Sequence, residues 1–207
     1  MDAPSLPAVS DLGVPHLLAL AAALGWASGM RLYATVFIVG LAGRLGWLAL
    51  PAGLMVIEHT PVLVAAGVLM LVEFCTDKIP GVDSLWDLIH TVIRIPAGAA
   101  LAAAALGADS DTWAVVAALL GATLAATAHA AKAGTRAAAN TLPEPFSNLL
   151  LSLAGDAFVP VLLWLAWAHP LASGIVLVLA LALALVLIHT TFRFLVGLLR
   201  KQRPRTA

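Results

Sequence analysis

Residues 171–188 read LASGIVLVLALALALVLI, eighteen consecutive positions without a charged side chain. As a helix this run is about 27 Å long, close to the ~30 Å hydrocarbon thickness of a bilayer. Five further runs share its character, and the six lie at about 15–42, 60–76, 84–107, 112–140, 146–168 and 171–194. Each is expected to be a helix, because lipid offers the backbone no hydrogen-bond partner and only a helix or a closed barrel satisfies it internally. The ten-residue alternation of a barrel is missing. Of the 207 residues, 62% are hydrophobic and 11% charged, against about 45–50% and about 25% in soluble domains. One core cannot hide that much apolar surface. The expected fold class is all-α: a polytopic transmembrane helix bundle of about six spans, one integral membrane domain over 1–207, with the lipid bilayer as its first partner.

Several functions are excluded early. Net charge is zero, so no field of one sign points to nucleic acid. Cys75 is the single cysteine, which rules out an internal disulfide framework. The segment before the first run carries Asp2 and Asp11 and no Lys or Arg. That is not the n-region of a cleaved signal, so the first run is expected to stay as a span. No GxSxG, HExxH, phosphate-cradling or dinucleotide-binding glycine motif occurs. No catalytic residue, metal ligand or cofactor is therefore assigned.

Turn residues separate the runs at 40–53, 77–83 (DKIPGVD), 107–111 (GADSD), 140–147 (NTLPEPFS) and 168–170. The stretch 44–59 is expected to lie along the membrane surface. Arg193, Arg200, Lys201, Arg203 and Arg205 cluster at the C-terminal end, and the positive-inside rule places that end in the cytoplasm. Six crossings would put both termini there, with 77–83 and 141–146 inside and 107–111 outside.

The ionisable residues fall into stripes. Asp83, Asp87, His90 and Arg94 are spaced 4, 3 and 4, one face of a helix. His129, Lys132, Arg136 and Asn140 follow at 3, 4 and 4; Asn148, Ser152 and Asp156 repeat every four; Ser28, Arg31 and Thr35 follow Gly25 and Gly29; the second run ends in Glu73, Thr76 and Asp77. A charge at the bilayer centre costs about 2.5–3.5 kcal/mol on insertion scales. Stripes can turn to a common interior where acids and bases neutralise each other, so a bundle with a polar centre is expected. Candidate pathway residues for a small solute or ion are Arg31, Glu73, Asp77, Asp87, His90, Arg94, Lys132, Arg136, Asn140, Asn148 and Asp156. Gly29 and Gly134 are candidate helix breaks that would expose backbone dipoles. Near span ends, Asp77, Lys78, Asp83, Asp87 and Glu144 also suit headgroups or water, and Arg193 suits an interfacial anchor.

Two internal likenesses stand out. DLIHTVIRIPAG (87–98) aligns with LIHTTFRFLVG (187–197), and SGMRLYAT (28–35) with AGTRAAAN (133–140). Three spans per half would make the halves, 1–108 and 109–207, an inverted 3+3 repeat. His90 and Arg94 belong to an interior stripe on this reading, and His189 and Arg193 to an interface.

The stretches GWASGMRLYATVFIVGLAGRLGW (25–47), EFCTDKIPGVDSLWDLIHTVIRIPAGA (73–99) and HAAKAGTRAAANTLPEPFSNLLLSLAGD (129–156) resemble the bacterial membrane family called domain of unknown function 4126. Gly155 precedes Asp156 where that family more usually has an acidic pair. The resemblance implies a multi-pass protein of the bacterial cytoplasmic (inner) membrane and carries across no catalytic residue. The leading functional expectation is a secondary transporter or channel-like permease for a small anionic or proton-coupled solute. Two alternatives stand beside it: a structural or accessory membrane subunit, and an intramembrane lipid-modifying enzyme using Asp87–His90 as general base and Arg94 on phosphate. A homo-oligomer is compatible with each.

Overall fold

The computed structural model describes residues 13–79, 81–106, 111–142 and 146–201. Asp2, Asp11, Glu144, Arg203, Arg205 and residues 107–110 lie outside the described residues. Among those described, six long helices follow in order: α1 (Val14–Arg44), α2 (Thr60–Thr76), α3 (Val82–Leu106), α4 (Asp111–Ala139), α5 (Phe146–Ala168) and α6 (Pro170–Lys201). A 3-10 segment, Ala52–Glu58, precedes α2. By length and composition alone five helices, α1 among them, could cross a membrane, and a sixth if the 3-10 segment and α2, bent by 68°, count as one span. The six expected runs match the six helices closely. Proline opens α1 and α2 in their first turns, where its missing N–H costs nothing. Gly46 and Gly81 take φ of 70° and 85° in the turns after α1 and α2, a region that glycine enters freely.

Small residues set how closely the central helices approach. A Cβ added at Gly25 of α1 would lie 2.7 Å from Gly121 Cα of α4. One added at Gly98 of α3 would lie 2.7 Å from Ala125 Cβ of α4. Gly29 meets the Ala125 backbone in the same way. The Gly25–Gly29 and Gly121–Ala125 pairs are small-xxx-small steps facing each other, which is how membrane helices gain packing without a hydrophobic drive.

The direction of α1 departs from expectation. Helices α3 and α4 are antiparallel: Asn140 Nδ2 donates to Ser84 Oγ at 2.9 Å, Thr91 Oγ1 meets His129 Nε2 at 2.7 Å, and Gly121 packs on Gly98 and Ala102. The end of the bundle holding 77–79, Gly81 and 140–142 is here the polar end, and the opposite one the far end. Gly25 sits at the level of Gly121, toward the far end. Arg31 reaches Asp77 and Ser152, toward the polar end. Gly40 then meets Ile57 and Leu63, and Arg44 donates to Thr60 Oγ1 at 2.5 Å, back at the start of α2 and the far end. The chain thus advances to Arg31 and returns. Arg31 is the one position within α1 whose backbone is not helical, with φ −146° and ψ 73°. α1 is a helical hairpin with two arms, 14–30 and 32–44, and both its ends lie at the far end.

Three expectations change as a result. The expected break near Gly29 falls two residues later, at Arg31. No break occurs at Gly134: α4 runs through it unbroken, and Gly134 packs beside Thr191 of α6. The Val14 end of α1 and the Lys201 end of α6 lie at opposite ends of the bundle, where six straight crossings would have put them together. In the stretch 44–59, Leu50, Leu54 and Ile57 are buried and Gly53 touches Ala104 of α3, while Trp47, Met55 and Val56 are exposed, so one side of the segment packs on the far end and the other faces outward.

Helix α6 is the outermost, and its His189 and Arg193 are exposed, as an interfacial role requires. The likeness to His90 and Arg94 stops at sequence: those two are buried, and Gly98 is tightly packed where Gly197 has nothing within 4 Å.

The packing predicts contrasting glycine substitutions. Gly25→Ala is expected to destabilise the protein by about 1–3 kcal/mol through overpacking. Gly174→Ala, with nothing within 4 Å of its added carbon, is expected to be neutral or stabilising by up to about 1 kcal/mol. Thermal unfolding of the two variants in detergent micelles checks this.

Candidate functional site

Five helices deliver charge to one place. α2 carries Glu73 in its last turn, and Asp77 follows directly after its end. α3 turns Asp83, Asp87, His90 and Arg94 inward; α4 contributes His129, Lys132 and Arg136, with Asn140 just past its end; α5 contributes Asn148, Ser152 and Asp156. The break in α1 presents Arg31. The three-to-four spacing of each stripe is what gathers these side chains on single faces.

Asp77 is the hub. Its carboxylate pairs with Arg31, with Lys132 Nζ at 3.1 Å and with Arg136 Nη1 at 3.0 Å. Arg94, fully buried, holds Glu73 Oε1 at 2.5 Å and Asp87 Oδ1 at 2.7 Å. Lys132 also lies 3.1 Å from Asp87. Arg31 Nη2 pairs with Asp156 at 2.8 Å and donates to the Ser152 carbonyl at 3.0 Å. Lys78, half-buried, crosses the Phe74 ring and reaches Asp156 at 3.3 Å. Arg136 approaches Asp83 at 3.6 Å. Five acids (Glu73, Asp77, Asp83, Asp87, Asp156) thus meet five bases (Arg31, Lys78, Arg94, Lys132, Arg136) among the described residues. The network carries no net charge, which is what lets it sit within apolar helices.

The broken backbone takes part. A helix end leaves carbonyls without intrahelical donors, and Met30 O accepts from Lys132 Nζ at 3.1 Å. Toward the polar end, Asn140 bridges Asp83 and Ser84 and takes a hydrogen bond from Asn148. Asp77, Asp83 and Asp87 are each no more than 1% exposed, so the headgroup reading of these acids is set aside. Asp87 does not pair with His90. His90 instead contacts the Trp86 carbonyl at 2.8 Å and Tyr33 Oη at 3.0 Å and stacks on Trp86. The Asp87–His90 pair expected for the lipid-modifying alternative is not formed.

Two cavities flank Arg31. One, about 290 Å³, lies between α1, α2 and α5 and is lined by Arg31, Glu73 and Asp156 with apolar neighbours. The other, about 490 Å³, lies between α1, α4, α5 and α6 and is lined by Arg31, Lys132 and Arg136 with a long apolar wall. Within the network, Glu73 Oε2, Asp87 Oδ2 and Arg94 Nε are buried and have no hydrogen-bond partner among the described residues.

All eleven candidate pathway residues named from the sequence lie in or beside this network. Tyr33 and the Met30 carbonyl were missed. Their partners are 57 and 102 positions away in the chain, and no local spacing signals such a contact.

Charge balance makes a testable claim. Removing one member of a buried pair typically costs about 3–5 kcal/mol because the other charge is left uncompensated. Arg94→Met and Glu73→Gln should each destabilise by roughly that amount. The double variant should lose clearly less than the two single losses combined. A double-mutant cycle from unfolding in micelles reads this coupling.

Comparison with known proteins agrees with the sequence resemblance. The family model described as Domain of unknown function (DUF4126) matches residues 18–190. No curated protein and no solved structure matches the chain. With most of its length covered by that match, the chain belongs to the DUF4126 family, a family of unassigned function whose fold here is a multi-span helix bundle.

Proposed function

We propose that this protein is a secondary transporter for a small anionic solute, coupled to proton movement. The carrying observation is Arg31, placed at the break of α1 with a cavity on either side. Irregular backbone at membrane depth is tolerated where it is buried in protein or lines a cavity, and broken helices aim their dipole ends at solute and coupling ion in many transporters. Arg31 belongs to both cavities. An anion entering the larger one competes with Asp77 and Asp156 for its guanidinium. An acid released from Arg31 then takes up a proton, and Glu73, a residue lining the smaller cavity whose Oε2 is buried without a hydrogen-bond partner among the described residues, is the second proton candidate.

The setting follows from the same reading. The basic C-terminal end places the polar end toward the cytoplasm by the positive-inside rule. With that orientation, the Val14 end of the α1 hairpin is proposed to face outside. The bacterial inner membrane, implied by the resemblance, is the proposed location.

The balance of five acids and five bases favours one competitor, a scaffold whose charges only lock helices together. Electrical recording from protein on a supported membrane separates the two. Anion jumps from phosphate to medium-chain carboxylates are expected to give a saturable, pH-dependent current in the wild type. Arg31→Lys keeps the charge but loses the planar fork and is expected to cut that current at least tenfold without unfolding the protein. Absence of current for every anion, with the wild type folded, leaves the scaffold.

A further inference from the structure

The charged network is neutral as a whole, yet its two faces are not alike. The smaller cavity sees one base and two acids, Arg31 with Glu73 and Asp156. The larger cavity is lined by three bases, Arg31, Lys132 and Arg136, and by no acid; their shared partner Asp77 is not among its lining residues. The rest of its wall is almost wholly apolar, including Trp26, Met30, Phe158 and Leu183. An apolar slot with three cations at one place matches one kind of molecule: a single alkyl chain with an anionic head.

Depth supports that match. Arg136 is three residues from the end of α4 at Ala139, about 5 Å along the helix, and Lys132 about 10 Å. The cations therefore lie just below the polar end. The α6 wall runs from Val176 to Leu187, about 16 Å of helix. Trp26 and Val176 lie on its inner reach, toward the far end. A chain with its head on Arg136 and Lys132 would point its tail toward the bilayer centre, the orientation of a lipid in that leaflet. Leu179 and Leu183 line the cavity and are 64% and 59% exposed, so the slot opens on the flank that faces lipid. The volume of about 490 Å³ is within the ordinary range for a small-molecule site.

We infer that the larger cavity binds single-chain anionic amphiphiles, carboxylate- or phosphate-headed, with the head at Arg31, Lys132 and Arg136 and the chain along α6. This inference rests on the transporter reading, since it names that reading's substrate class. Entry is lateral, from the leaflet at the polar end. Arg31 senses the head, because it alone lines both cavities.

Binding is measured with bromododecanoate, whose bromine quenches Trp26 fluorescence, on purified protein in a neutral maltoside detergent. The expected result is a saturable component of quenching that is lost in Trp26→Phe, above the non-saturable quenching of the exposed Trp47, Trp113 and Trp164. Dodecanoate and dodecyl phosphate should reverse it, each arm giving the preference between the two heads. Dodecyltrimethylammonium and dodecanol should compete at least tenfold more weakly, and affinity should rise from hexanoate to dodecanoate. Ala180→Trp fills the slot and should weaken binding at least tenfold; Ala180→Leu, a milder change, should weaken it by less. Equal competition by the cationic amphiphile, phosphate binding as tightly as dodecyl phosphate, or quenching unmoved by both Ala180 variants would overturn the inference. Amphiphile binding without any current keeps the site and removes the transporter. Current for small anions without amphiphile binding keeps the transporter and removes this substrate class.

Discussion

One carboxylate, that of Asp77, accepts charge from three cations on two different helices. Much of the fold can be understood from it. An arginine in the middle of an apolar helix cannot face hydrocarbon without a cost of several kcal/mol. α1 meets this by breaking at Arg31, so that the side chain points into the bundle and onto Asp77 and Asp156. Lys132 then does two jobs: it satisfies Asp77 and takes the Met30 carbonyl released by the break. Removing Asp77 would take the shared acid from Arg31, Lys132 and Arg136 and leave them only Asp156, Asp87 and Asp83. The network is therefore best seen as one unit rather than ten separate pairs.

Close helix approach is the second requirement. Ion pairs of about 3 Å between α1, α2, α3, α4 and α5 need the backbones drawn together. Gly25, Gly29, Gly98 and Gly121 provide this between α1, α3 and α4. α2 and α5 lack such steps toward each other, and the smaller cavity opens between them and α1. Tight packing on one side and open space on the other leave Arg31 with a firm backbone and a free approach. This combination connects the fold to the proposed transport role.

Much of this could be read from the sequence, and the limits are instructive. The length of apolar runs decided the class and nearly every helix boundary, because a bilayer imposes one length on every span. Three-to-four spacing marked the stripes on α3, α4 and α5, since periodicity along one helix is a local property. The fold-back of α1 was not legible. Residues 15–42 form one apolar run, and nothing local to Arg31 distinguishes a straight span from two short arms. Gly29 hinted at a break through its permissive backbone, yet Gly134 carried the same GxR signal and sits in unbroken helix. The difference lies in the partners: Asp77 and Asp156 are far from Arg31 in sequence. The likeness of residues 87–98 to 187–197 misled in the same way, because burial depends on what surrounds a helix and α6 lies outermost.

The hairpin at Arg31 is the element on which the cavities, the network and the opposed helix ends all depend. It is tested most directly by electron–electron distance measurement between nitroxides at Val14→Cys and Leu45→Cys, with Cys75 replaced by alanine, in the protein reconstituted in liposomes. Two arms of about 25 Å and about 20 Å folded past a right angle keep the labels closer than about 32 Å. A distance near 45 Å, the length of a straight helix over these residues, would contradict the account.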